Sequence, residues 1–295
     1  MLHVSPSGGR SLSFGGSSGG KGISLPCGRC IGCRLERARQ WAVRIVHESK
    51  MHAENSFLTL TYDDDHLPAD RSLSVSHCQL FLKRLRAKLE PTRIRFFLCG
   101  EYGEQLGRPH YHAIVFGWFP SDAVLIKGTG DMSLWSSQLL SSTWGHGFAS
   151  VGQVSFDSAA YVANYATKKI TGPSADAHYR GRRPEYLLMS RRPGIGRAWF
   201  DKFSSDVFPC DEVIVNGVPC RPPRYYDNLL DVINPDMLLK LKMKREIAAA
   251  KLEDMLLPSG DVVSLPLSRN ARRLEACEKV ARAKFSLKRR DLEVA

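Results

Sequence analysis

The first strong pattern along the chain has a helical period. From Arg34, the apolar positions Leu35, Ala38, Trp41, Ala42, Ile45 and Val46 fall on one stripe, with Arg34, Arg37, Arg39 and Arg44 mostly off it. The next segment changes period: Phe57 to Tyr62 (FLTLTY) alternates and is rich in strand formers, predicting a strand that ends at the acidic turn Asp63-Asp64-Asp65. Ser76-x-x-Gln79 reads as a capping box opening a basic amphipathic helix with Leu80, Phe81, Leu85 and Leu89 inward. Ile94 to Cys99 (IRFFLC) predicts a second strand, followed by the turn-rich GEYGEQLGRP. His110 to Trp118 (HYHAIVFGW) predicts a third strand, in a central position. A helix over Leu134–Trp144, a strand over Ser150–Phe156 and a helix over Ser158–Ile170 complete the pattern, the last with Ser158 as N-cap and Gly172-Pro173 as its stop. This order predicts an α+β fold, an antiparallel sheet with helices on one face.

The flanks read differently. Residues 5–22 are mostly Ser and Gly with a few basic residues, which predicts a flexible N-terminus over 1–24. Residues 174–199 are arginine-rich and irregular. A β-like piece over Glu212–Val218, with an Asn216-Gly217 turn signal, lies between Cys210 and Cys220. The end of the chain reads as basic helices over Pro235–Leu257 and roughly Asn270–Leu292, so 206–295 is expected to be a basic, largely helical extension to a domain spanning 25–205.

Composition narrows the class. The 295 residues are 43% hydrophobic and 9% aromatic, enough for a real core and unlike a disordered basic tail. Forty-two Lys and Arg against thirty Asp and Glu leave a net charge of +12, which points to a polyanionic partner, nucleic acid first. No apolar run approaches the roughly 18 residues that span a bilayer, and the N-terminus lacks the apolar centre of a signal peptide; no membrane partner is expected. Eight cysteines scattered from 27 to 277 do not resemble a disulfide framework and fit a reducing cytosol.

Three constellations carry candidate chemistry. His110-Tyr111-His112 lies on a strand, where residues i and i+2 share a face, so both imidazoles project together. With a carboxylate from the preceding strand, Glu101, or less suitably Glu104, they would form a site for Mg²⁺ or Mn²⁺; alone, two histidines on a strand are as readily surface or core residues. Tyr161, Tyr165 and Lys168 stand at i, i+4 and i+7 and share a helix face. Tyrosines at that spacing commonly pack a core, yet two phenols and an ammonium make an odd core and a sensible site for a phosphodiester. A phenol attacking phosphorus would give a phosphotyrosine bond, retaining the energy of the cut bond for rejoining. Cys27-x-x-Cys30-x-x-Cys33 has the spacing of a soft-metal site, with structural Zn²⁺ and reduced thiols packing a turn as the competing readings. Asp63, Asp64 and Asp65 suit either a solvated turn or a metal-assisting role. The arginines of 29–44 and of 180–197 (Arg180, Arg182, Arg183, Arg191 and Arg192 among them) suit phosphate neutralisation, with Trp41, Tyr179, Tyr186 and Trp199 available for stacking.

Together these residues resemble a known family. RPHYHAIVFG resembles the HUH motif of rolling-circle replication endonucleases; FLTLTYDDDHLP is similar to that superfamily's first motif and YVANYATKK to its tyrosine-bearing motif in the two-tyrosine branch. PCGRCIGCRLERARQWAVRI and LMSRRPGIGRAW further resemble the replication initiators of small single-stranded DNA phages, microviruses of the gokushovirus kind. The resemblance implies an HUH endonuclease domain with an antiparallel sheet of about five strands, the histidines on a central strand and the tyrosine helix alongside. It implies His110, His112 and Glu101 as metal ligands, Tyr161 and Tyr165 as nucleophiles and Lys168 as their assistant. The implied reaction nicks the phage origin, leaves a 5′-phosphotyrosine link and a 3′-hydroxyl primer, and later closes the displaced strand. Origin and single-stranded DNA, a host DNA polymerase and a helicase are the implied partners, in the host bacterial cytoplasm. Tyr111 departs from the usual aliphatic middle residue of the motif, which an aromatic packing on the opposite sheet face would accommodate. A mobilisation or transposition nuclease of the same superfamily, or a non-catalytic DNA-binding or packaging protein, are the alternatives.

Overall fold

The computed structural model describes residues 2–4, 10–12, 26–103, 106–164, 169–170, 172–255 and 267–286. Beyond a short terminal pair, β1 (Leu2–Val4) and β2 (Arg10–Leu12), the alternating segments become the middle of one sheet. β5 (Pro109–Phe116) lies between β3 (Asn55–Tyr62) and β4 (Arg95–Tyr102), antiparallel to both. The full order is β6-β7-β8-β3-β5-β4-β9, with β6 (Val124–Lys127), β7 (Leu134–Ser136), β8 (Gly147–Gly152) and β9 (Tyr186–Met189). The sheet thus has seven strands against an expectation of about five, because the β6–β7 hairpin extends the β8 edge.

Helices cover both faces of the sheet, not one. Tyr111, Ala113 and Val115 point into a core shared with α2 (Val75–Lys88) and α3 (Gln138–Trp144), where Phe81, Leu85 and Trp144 are buried. Ile114 and Phe116 point the other way, to α1 (Ile31–Ser49) and α4 (Phe156–Asn164), through Ala38, Ala42, Ala159 and Val162. A central strand that is apolar at both parities reads as one hydrophobic run and gives no cue that a second layer lies behind it.

Several boundaries move for identifiable reasons. α2 starts two residues earlier than the expected capping box, because the Ser74 hydroxyl, not that of Ser76, accepts from the His77 N–H. The helix expected over Leu134–Trp144 splits: Leu134 and Trp135 pair with β8, and Ser137 then caps α3 through the Leu140 N–H. The strand expected over Ser150–Phe156 is β8, which starts at Gly147 and stops at Gly152. Phe156 opens α4, whose entry is held by a reciprocal exchange in which Ser155 Oγ accepts from the Ser158 N–H and Ser158 Oγ from the Ser155 N–H. The later part of the helix expected to reach Ile170 includes 165–168, outside the described residues.

The arginine-rich segment is not irregular throughout. It contains α5 (Ala175–Tyr179), β9 and the start of α6 (Arg197–Val207). The hairpin of β10 (Val213–Val215) and β11 (Val218–Cys220) turns at Asn216-Gly217, both with positive φ as that dipeptide predicts. α7 (Arg224–Ile233), unanticipated, precedes α8 (Pro235–Met255) and α9 (Leu267–Ser286). Phe200, Phe208, Val213, Tyr226, Leu230, Leu238 and Leu241 form a buried cluster that includes Val43 of α1. Arg245 of α8 ties this cluster down by pairing with both Asp211 and Asp227.

Candidate active site

The β4–β5 register places Glu101 opposite His110 and Cys99 opposite His112, so the carboxylate and both imidazoles rise from the sheet face that α4 covers. Glu101 Oε1 lies 2.6 Å from His110 Nε2 and 3.0 Å from His112 Nε2. Glu101 and His112 are fully buried and His110 is half-buried. Outer partners set the rings: His110 Nδ1 lies 3.2 Å from the Arg108 carbonyl, and His112 Nδ1 lies 3.1 Å from Thr59 Oγ1. With Nδ1 facing that carbonyl, Nε2 is the His110 nitrogen turned toward the carboxylate, the place a cation shared with Glu101 would take. Burial alone would raise the Glu101 carboxyl, but the hydrogen bonds from His110 and His112 outweigh it and hold the group ionised, well below the usual carboxylate range. Two imidazoles and one carboxylate are a donor set for a divalent cation.

Tyr161 stands beside this group. Its ring lies edge-on to His112, with centroids 5.1 Å apart, and edge-on to Phe57. Ala159, Val162 and Ala163 seat α4 on the sheet, leaving Tyr161 half-buried next to the ligands. Tyr165 and Lys168 of the expected helix face, and Glu104 of the loop, lie outside the described residues. On the β8 side of Thr59 the same sheet face opens into a hollow of about 260 Å³ lined by Phe57, Ser150, Gln153 and Asp157 among others. Tyr111 packs on the opposite face, fully buried, its hydroxyl 2.9 Å from that of Tyr62.

Other candidates separate. Arg180, Arg182 and Arg183 come together at the sheet end that carries Glu101. Arg182 stacks over Tyr102, and the three line two clefts with Asp70, Arg71 and His77. Arg191 and Arg192 are exposed at the other end, since β9 runs from Tyr186, opposite Gly100, to Met189, opposite Phe97. Asp63 and Asp64 serve the turn and its neighbour, Asp63 with His66 and Asp64 with Arg108, outside the Glu101 group. Cys27, Cys30 and Cys33 converge at the start of α1, and hydrogen bonds from the Cys30 and Arg29 backbone N–H groups lower the Cys27 thiol to about 7. Sequence reasoning missed Thr59, which only the pairing of β3 with β5 brings to His112, and Arg108, whose carbonyl meets His110 two residues on and whose side chain holds the Tyr62 carbonyl at 2.8 Å.

Known proteins resemble this chain over most of its length. The family model for the replication-associated protein ORF2 group matches residues 55–170, the stretch from β3 to just beyond α4. The replication-associated protein VP4 of Bdellovibrio phage phiMH2K is 36% identical over 244 residues, covering 79% of this chain and 76% of the relative. The replication-associated protein ORF2 of Spiroplasma virus 4 is 32% identical, covering 77% and 75%. The replication-associated protein ORF4 of Chlamydia phage 1 is 33% identical, covering 70% of this chain and 53% of the relative. No solved structure matches. By this likeness over most of both chains, the chain belongs to the replication-associated protein family of microvirus-type phages.

Proposed function

We propose that this protein starts phage DNA replication by cutting one strand of the origin and joining itself to the 5′ end through a tyrosine. The observation that carries this reading is the convergence of Glu101, His110 and His112 on the face against which α4 sets Tyr161. The phenol oxygen of Tyr161 forms a bond to phosphorus, the bond from phosphorus to the 3′-oxygen breaks, and that oxygen takes up a proton equivalent to the one the phenol loses. The product is a 5′-phosphotyrosine and a 3′-hydroxyl able to prime a host polymerase. Glu101, His110 and His112 would hold Mg²⁺ or Mn²⁺, which when bound polarises the scissile phosphate and offsets developing charge. Thr59 and the Arg108 carbonyl orient the two imidazoles. Tyr165, four residues on in the sequence, serves as the second nucleophile that cuts the regenerated origin, and Lys168 balances phosphate or phenolate charge.

Arg180, Arg182 and Arg183 lie at the metal end of the sheet, where they suit the backbone of the strand being cut; Arg191 and Arg192 would contact DNA further off. The hollow beside Thr59 has room for a base next to the scissile phosphate. On this reading the protein works in the host cytoplasm with a host polymerase and helicase, and the nuclease parts all lie within 25–205. A non-catalytic DNA-binding or packaging role would use the same basic surface but leaves the carboxylate–imidazole group without a purpose. A mobilisation or transposition nuclease would use the same site, but the phage replication relatives favour initiation.

The test uses labelled single-stranded oligonucleotides tiled across the genome that encodes the chain, incubated with protein and Mn²⁺. A DNA–protein adduct that survives denaturing electrophoresis is expected on the origin tile. It should vanish on chelation, in His110→Ala and in the Tyr161→Phe, Tyr165→Phe double variant. Tight binding with no adduct on any tile would overturn the nuclease reading in favour of the binding one.

A further inference from the structure

Three thiols at the start of α1 are left unused by the proposed cut. Cys27 is exposed, and Cys30 and Cys33 are only half-buried, which argues against thiols serving as turn packing; the thiols that do pack, Cys78 and Cys99, are fully buried in the sheet layers. The three Sγ atoms all lie within 4.8 Å of one another, with Cys27 Sγ 3.9 Å from Cys33 Sγ. Zinc–sulfur bonds of about 2.3 Å at tetrahedral angles put neighbouring sulfurs about 3.8 Å apart. Backbone donors already point at the sulfurs: the Cys30 N–H lies 3.2 Å from Cys27 Sγ and the Cys33 N–H 3.5 Å from Cys30 Sγ. The Cys30 N–H and the positive end of the 19-residue α1 favour negative charge at Cys27, while at Cys30 the Cys33 N–H is outweighed by the sulfur neighbours, which push that thiol up. Gly28 sustains the loop through a φ of +71°, a conformation that side chains resist, although a Cβ there would meet nothing.

We propose that Cys27, Cys30 and Cys33 bind one structural zinc ion as thiolates, a site separate from the Glu101–His110–His112 group. Among the described residues the donor cluster stops at three, and these thiolates fill three of the four tetrahedral positions of zinc. Soft thiolates select zinc over the hard Mg²⁺ or Mn²⁺ that a carboxylate site prefers, so the two sites load independently. The ion locks the loop Pro26–Cys33 to the end of α1, the helix packed against α4 through Ala38 and Ala42. It also fixes Arg29, whose guanidinium lies 3.9 Å from where a Cβ on Gly172 would stand, in the segment that follows the tyrosine motif. The zinc would therefore brace the tyrosine helix from outside the reaction centre. Neither the ligation nor its test depends on the cutting reaction.

The experiment measures metal content by plasma emission on the full chain, purified and dialysed against Mg²⁺ without chelator. One zinc per chain is expected, falling to about a tenth or less in Cys27→Ser and in the Cys27, Cys30, Cys33 triple serine variant. The His110→Ala, His112→Ala double variant should keep its zinc. Cobalt loading should give a thiolate charge-transfer band in the near ultraviolet that the cysteine variants lack. Cys27 is exposed and its serine form is expected to fold, which circular dichroism checks, so lost zinc there reports ligation. Zinc that follows His110 and His112 instead, no zinc above the triple variant, or iron with acid-labile sulfide in its place would each overturn the proposal.

Discussion

At the scale of single residues, the site depends on what stands behind its ligands. Thr59 holds His112 by its Nδ1, so Thr59→Val, which keeps the shape and removes the hydroxyl, is expected to weaken divalent-metal binding about 10- to 100-fold. Adduct formation titrated with Mn²⁺ checks this, with yield recovering at high metal. Another buried histidine has a different consequence. His47 stacks on Trp199, with centroids 3.5 Å apart, and lies 2.9 Å from the Tyr226 hydroxyl; burial, helped by the charge of Lys50, lowers it to about 3. The unfolded imidazole keeps its ordinary value near 6.5, so between about 6.5 and about 3 the unfolded chain binds a proton that the folded one refuses. This contribution to stability is full above that window and is lost as the pH falls through it. Melting temperatures from pH 8 to 4 should therefore fall less steeply in His47→Gln than in the parent, whatever the variant's own starting stability. That His110 and His112 share a face was legible because the two-residue period of a strand is written in the sequence; that Thr59 stands behind His112 was not, because the pairing between strands is not.

At the scale of elements, the tyrosine helix depends on its entry. Ser155 and Ser158 each satisfy the other's backbone N–H at the start of α4, so Ser155→Ala is expected to destabilise the fold by about 0.5–2 kcal/mol, readable as a lower urea midpoint. Adduct yield at 37 °C should fall as well, since Tyr161 lies in the second turn of that helix. The same serines show why local signals misplace starts: Ser158, which reads as a cap, sits three residues inside, and Ser76 loses the role to Ser74. The Leu134–Trp144 segment shows tertiary pairing overriding a helical pattern, since Leu134 and Trp135 find a strand partner in β8. β9 escaped notice because Tyr186–Met189 is short and framed by arginines, and its partner β4 lies far away in sequence.

For the whole molecule, the core of the C-terminal region reaches back to α1. Val43 and Phe200 share a buried cluster with Tyr226, Leu230, Leu238 and Leu241, while the site residues all precede position 205. A chain ending at 205 would expose that apolar surface, so it is expected to aggregate or lose cooperative unfolding, whereas one ending at 260 keeps the cluster, loses only the packing of α9 on α1, and should still unfold cooperatively. Thermal unfolding with light scattering compares the two. The net charge of +12 was legible at once as a sign of a polyanionic partner; that the tail helps build the body was not, because α7 and the β10–β11 hairpin show their purpose only when packed.

The hairpin that carries the ligands is closed at its mouth: Tyr102 pairs with Pro109, and the Gly103 N–H meets the Arg108 carbonyl at 3.0 Å. Below that rung the pairing of Glu101 with His110 is fixed. The rung therefore works as a clamp, keeping the register of the ligand-bearing residues independent of the connection beyond it.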